Sequence, residues 1–137
     1  MPDPTSFALT TEDVGDSVRV LVVRGDADRF RAEAVSRAIE TGRADDRDVV
    51  VDLSAATYLD SSMLAALVGA SEQGRRRSQA LVLVVDTPRL RRSFEVKGLQ
   101  TILRVTSSRD QALDLLARPA DQADQADQAE RPAPEQA

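Results

Sequence analysis

An α/β fold with one mixed β-sheet and about four helices is what this 137-residue chain predicts. Three observations carry that prediction. Runs rich in valine and leucine at 18–23, 48–53 and 80–85 read as strands. Two of them, around Val49-Val50-Val51 and Leu81-Val82-Leu83, lack polar alternation, as expected of strands covered on both faces. Between the strands lie segments whose apolar residues recur at helical spacing. The predicted order is β-β-α-β-α-β-α-β-α. An N-terminal hairpin is followed by alternating strands and helices, so the later strands are expected to be parallel and joined by right-handed crossovers.

Taken in order, residues 7–11 read as a short first strand. Residues 12–16 read as a turn in which Gly15 can take positive φ. Residues 18–23 form the second strand. Gly25-Asp26-Ala27-Asp28 is expected to break it, with Asp28 as helix N-cap. Phe30, Ala34, Val35, Ala38 and Ile39 then recur at helical spacing up to Gly42, a natural C′ residue. Residues 48–53 are the third strand, followed by a short loop. A second helix runs from Asp60 to about Arg76, and residues 80–85 form the next strand. Thr87-Pro88 reads as N-cap and first helical position. That helix carries Leu90 and Phe94 and ends at Gly98. Residues 102–105 make a short last strand. Ser108-Arg109-Asp110-Gln111 fits a capping box before a final helix with Ala112, Leu115 and Leu116 on its apolar side.

One domain is expected at 7–117, with a flexible N-terminus at 1–6. Residues 118–137 carry three Asp-Gln-Ala triplets and read as a disordered acidic tail. The tail holds five acids and two bases of a chain whose net charge is −5, which leaves 18 acids and 16 bases elsewhere. So balanced a domain lacks the basic footprint of a nucleic-acid binder. Residues 1–6 show no basic and apolar leader pattern, and no apolar run approaches the ~18 residues of a membrane span. A cytoplasmic location without membrane insertion is expected.

The chain has no histidine and no cysteine. That excludes Ser-His-Asp triads, cysteine nucleophiles, disulfides and the usual zinc sites. Asp45, Asp46 and Asp48 lack the spacing of a calcium loop, and Gly69 and Gly74 belong to no phosphate-loop signature. No cofactor, no metal and no catalytic residue are expected. Asp52 and Asp60 are carboxylates of the kind used in acid–base work, but neither a metal cluster nor a phosphate loop accompanies them. Two arginine groups, Arg75-Arg76-Arg77 and Arg89, Arg91 and Arg92, read as solvated helix ends or as contacts for an acidic partner or lipid headgroup.

The densest signal is Asp60-Ser61-Ser62, set directly before the apolar run Met63-Leu64-Ala65-Ala66-Leu67-Val68. It places two hydroxyls and a carboxylate at a helix N-terminus, where N–H groups are unpaired and the dipole is positive. Ordinary capping, worth about 1 kcal/mol, explains one of these side chains. Three in one turn suit a phosphorylation site or a docking surface as well. Leu64, Leu67 and Val68 make the stripe expected to pack on the sheet. Met63, Ala66 and Ala70 fall on another side, expected to be open to a partner.

At these residues the chain resembles the STAS-domain anti-sigma factor antagonists (anti-anti-sigma factors) of bacteria. The resemblance covers about 7–117. It rests on Asp60-Ser61-Ser62, on the strand end at 51–54, on the Gly25-Asp26-Ala27-Asp28 turn, and on the segment from Thr87 to Leu99. It implies a STAS-like domain in which Ser61 is phosphorylated by an anti-sigma factor that is also an ATP-using serine kinase. A phosphoserine phosphatase reverses the step. The unphosphorylated form binds the anti-sigma factor and so frees a sigma factor. Asp28 and Asp60 would face the partner and Ser62 would support the turn. Met63 stands where the family usually has glycine, and Arg29-Phe30-Arg31 where it usually has small polar residues. STAS proteins also resemble subunits of ABC-type lipid transporters. That alternative implies docking on an ATPase without phosphorylation.

Overall fold

The computed structural model describes residues 5–117. Its elements are β1 (Ala8–Val14), β2 (Val18–Ala27), α1 (Ala32–Ala44), β3 (Asp48–Leu59), α2 (Ser61–Arg76), β4 (Leu81–Val84), α3 (Pro88–Val96), β5 (Arg104–Thr106) and α4 (Arg109–Ala117), with a 3₁₀ turn at Leu99–Thr101. The five strands lie in sequence order in one sheet. β1 and β2 form the expected antiparallel hairpin around Gly15, whose φ is 61°. The pairs β2–β3, β3–β4 and β4–β5 are parallel. The expected mixed sheet and four helices are all present.

Period-two side-chain alternation explains the uninterrupted valine runs. Val49 and Val51 point into one core, together with Leu21, Val23 and Leu83 of the neighbouring strands. Helices α1, α2 and α3 fill that core with Val35 and Ile39, Leu64 and Leu67, and Leu90 and Phe94. Val50 points the other way, with Val18, Val20, Val22, Val82 and Val84, and α4 covers this second face with the fully buried Ala112. Strands with both faces covered have no polar side to display.

Several boundaries differ from the sequence expectation. β2 runs through Gly25 to Ala27, because the pairing with β3 shifts register twice, between Val22 and Arg24 and between Gly25 and Asp26. Irregular pairing absorbs the residues that look like a break. Gly25 has φ 76°, and a Cβ there would run into the backbone carbonyl of Ser6. Thr5 and Ser6, expected in the flexible N-terminus, thus lie beside β2, with the Thr5 carbonyl accepting from Asp26 N–H at 2.9 Å. Gly42 does not end α1. It is buried within the helix, where a Cβ would press on Val49 Cγ2 at 2.9 Å. β3 continues through the segment expected to be a loop, up to Leu59. The expected acidic tail at 118–137, and residues 1–4 of the expected N-terminal segment, lie outside the described residues.

α3 starts as expected, with Thr87 in the N-cap position and Pro88 in the first turn, although the Thr87 side chain makes no capping bond. α4 does carry its box. Ser108 Oγ accepts from Gln111 N–H at 3.1 Å, and the Gln111 side chain accepts from Ser107 N–H at 2.9 Å. Among the described residues, no helix is long and apolar enough to cross a membrane.

Candidate functional site

Parallel pairing brings the ends of β2 and β3 together. Ala27 pairs with Leu59, and Asp60 N–H donates to the Ala27 carbonyl at 3.0 Å. Asp28 and Asp60 therefore leave neighbouring strands at the same edge of the sheet, where ligands and partners of parallel sheets commonly sit. Just inside that edge, Thr57 Oγ1 donates to Asp26 Oδ1 at 2.5 Å and ties the two strand ends to each other.

Asp60 is the N-cap of α2 and has extended backbone angles, φ −71° and ψ 155°. Its Oδ1 accepts from Ser62 N–H at 2.8 Å, and its carbonyl accepts from Leu64 N–H at 3.1 Å. One side chain of the triplet thus does all the capping. Ser61 and Ser62 are exposed. Ser62 takes part in the turn through its N–H, whereas Ser61, at the first helical position, is presented to solvent. The helix dipole favours negative charge at that position.

Asp28 is half-buried and is not the N-cap of α1. The helix starts at Ala32 with Arg31 in the cap position and no side-chain capping bond. Asp28 Oδ1 instead accepts from Phe30 N–H at 3.0 Å, closing a tight turn before the helix. Met63 is a second correction. It is 1% exposed and sits in the core with Leu64 and Leu67, and Ala70 is also buried. The side of α2 that carries them packs into the core between helix and sheet, while Ala65, Glu72 and Gln73 on its outer side stay exposed. Ala66 is half-buried. Of the residues read as partner-facing, Asp28, Asp60, Ser61 and Ser62 gather at one edge. Met63 offers that edge no free side chain.

The structure adds residues that the motif did not reveal. Tyr58 and Phe30 are 49% and 75% exposed at this same edge. Phe30 has the helical spacing of a core residue, so periodicity conceals it. It falls outside α1 only because the Asp28 turn delays the helix. A cleft of about 190 Å³ runs between the end of β3 and the start of α3, lined by Thr57, Tyr58, Leu59, Arg89, Leu90 and Ser93. On the opposite face, buried Asp52 accepts from Ser54 N–H at 2.9 Å and pairs with Arg109 at 3.1 Å. Burial pushes its carboxyl up, but the Ser54 hydrogen bonds and the Arg109 charge outweigh it and hold the carboxyl below its ordinary range. Asp52 is thus a structural anion and not a poised acid. It stands on a different face from the Ser61 edge, so Asp52 and Asp60 form no acid–base pair. Among the described residues, no group of three or more His, Cys, Asp or Glu side chains could hold a metal ion.

Comparison with known proteins gives the family of this fold. The family model described as "Mlab, STAS domain" matches residues 10–107. The chain is 35% identical over 86 residues to the anti-sigma-B factor antagonist of Listeria monocytogenes, a match that spans 62% of this chain and 75% of the relative. This chain belongs to the STAS-domain family of anti-sigma factor antagonists. A crystal structure of an anti-sigma factor antagonist from Mycobacterium paratuberculosis superimposes on this STAS domain with a TM-score of 0.72 and 30% identity, covering 83% of this chain and 97% of the other. The anti-sigma factor antagonist SpoIIAA in its unphosphorylated form gives a TM-score of 0.63 at 18% identity, over 80% of this chain and 97% of the other, a likeness of fold alone.

Proposed function

We propose that this STAS domain is a phosphorylation-controlled anti-sigma factor antagonist with Ser61 as the acceptor. Unphosphorylated, it binds an anti-sigma factor that is also a serine kinase, and the sigma factor held by that kinase is released. Phosphorylation moves the terminal phosphoryl group of ATP to Ser61 Oγ, with ADP leaving and the hydroxyl proton passing to a base on the kinase. A phosphoserine phosphatase resets the switch by hydrolysis. The observation that supports this reading most is the division of labour in one turn. Asp60 alone caps α2, which leaves Ser61 exposed at the first helical position.

The physical route is short. Phosphate adds nearly two negative charges and three acceptor oxygens. At a helix N-terminus the dipole tolerates them, so the fold persists. A partner packed over the same turn would have to bury a dianion beside Asp60, and the complex is lost to desolvation and like-charge repulsion.

The test uses Ser61→Ala and Ser61→Glu proteins as paired baits in lysate of the native host, followed by affinity measurement with the purified captured kinase. The Ala form is expected to bind and the Glu form to bind at least tenfold more weakly. Equal retention of one partner by both baits would make Ser61 a plain structural position. Co-purification of a transporter ATPase with both baits would favour the lipid-transport alternative.

A further inference from the structure

Phe30 is the least expected side chain at the switch edge. It is 75% exposed, at a backbone position that the Asp28 turn holds. Its N–H is bound by Asp28 Oδ1 at 3.0 Å, the Arg31 N–H bonds the Asp28 carbonyl at 3.0 Å, and the Arg29 guanidinium lies 4.9 Å from the centre of the Phe30 ring. Arg31 in turn stacks on Phe7 at 5.2 Å. A large apolar ring left in water contributes nothing to the core. Val96 is equally exposed, at 79%, but it lies at the far end of α3 from this edge. Phe30 instead follows Ala27 by three residues, and Ala27 is paired with Leu59, two residues before Ser61.

Resting on the function proposed above, we propose that Phe30 is the specificity-determining anchor of the switch surface. It inserts into an apolar pocket of the anti-sigma factor, and that pocket is rimmed by carboxylates. Two properties argue for this occupant. Binding energy concentrates in large aromatic side chains, and a backbone already held in a turn loses little conformational entropy on docking. The two residues that flank Phe30 in the chain are cationic as well. Among the described residues, Arg29 and Arg31 engage aromatic rings and no carboxylate, while the Asp28 carboxylate is engaged in the turn. An acidic rim on the partner would pair with these guanidiniums and speed association. The Asp28 turn sets where Phe30 leaves the end of β2, so this part of the chain would select one anti-sigma factor among several.

The experiment adds Phe30→Ala and Phe30→Tyr to the Ser61→Ala protein, and separately Arg29→Glu with Arg31→Glu. Binding to the purified captured kinase is measured at low and high salt, beside thermal melting. Phe30→Ala is expected to weaken binding by tenfold or more with an unchanged melting temperature, and Phe30→Tyr to retain most of it. The double glutamate is expected to slow association and to abolish its acceleration at low salt. Wild-type affinity of Phe30→Ala, with the Ser61 pair still discriminating, would overturn the anchor and leave the switch standing. An unchanged salt dependence in the double glutamate would overturn the acidic rim. Failure of the Ser61 pair to discriminate would remove the switch, and the anchor with it.

Discussion

At the scale of single residues, the oddest group in this domain is Arg43. It is 3% exposed at the seam between α1 and α2. One of its terminal nitrogens donates to the Ala70 carbonyl, while Nε and Nη1 have no hydrogen-bond partner. Glu40 stands 3.8 Å away, and burial lowers the guanidinium pKa from its ordinary value. A buried charge this poorly paired contributes little net stability, and an apolar side chain of similar length often does as well or better. Arg43→Met is therefore expected to keep or raise the melting temperature. Gly74→Ala should do the opposite. A Cβ there would run into the Gln79 carbonyl and the Arg43 guanidinium, and a backbone neighbour cannot give way, so a loss of about 1–3 kcal/mol is expected in denaturant unfolding. If Gly74→Ala proves neutral, the α1–α2 seam is looser than described. Ser61→Glu, by contrast, should leave stability within about 0.5 kcal/mol, because it adds a negative charge where the dipole favours it.

At the scale of elements, α4 is the only helix on its face of the sheet among the described residues, and one charged cluster anchors it. Arg109 bonds Asp52 of β3 at 3.1 Å and Glu12 of β1 at 2.7 Å, tying helix, central strand and edge strand together. The folded carboxyl of Asp52 titrates below its unfolded value, so its stabilising contribution is complete above the unfolded pKa of about 4. That contribution falls away as pH drops through the folded value. Arg109→Met should thus lower stability at neutral pH and flatten the acid side of the stability profile below about pH 4, measured by urea unfolding at several pH values. An unflattened profile would mean that Asp52 does not depend on Arg109. None of this was legible in the sequence, because Asp52 and Arg109 are 57 positions apart and only the fold joins them. The valine runs, the helix starts at Ser61 and Pro88 and the Ser108 box were legible, since each is a local pattern. The length of β3, the inward packing of Met63 and the exposure of Phe30 were not. Each depends on register or neighbouring helices, which the local spacing of apolar residues does not encode. Asp28 illustrates the limit well: the residue type reads as a cap, but the turn it closes lies one step before the helix.

At the scale of the whole molecule, the edge that carries Ser61 and the two cores are built to be independent. The apolar clusters hold the sheet from both sides through β2, β3 and β4, whereas Ser61 buries nothing in either of them. Asp28 accepts from Phe30 and Arg31 N–H within the turn that leads to α1, and Asp60 joins the Ala27 carbonyl to the first turn of α2. A charge placed at Ser61 thus touches neither apolar cluster. On the function proposed above, its effect is read by the partner. Hydrogen exchange of wild type and Ser61→Glu should accordingly show equal protection throughout β2, β3 and β4, with any difference confined to residues 28–31 and 60–64. Altered protection in α4 or β5, on the far side of the sheet, would mean that the charge reshapes the fold and that the switch is conformational. With equal protection and a lost complex, the interface itself is the switch. The same STAS framework could then change partners by altering the few side chains on its edge, with no change in the cores that hold that edge in place.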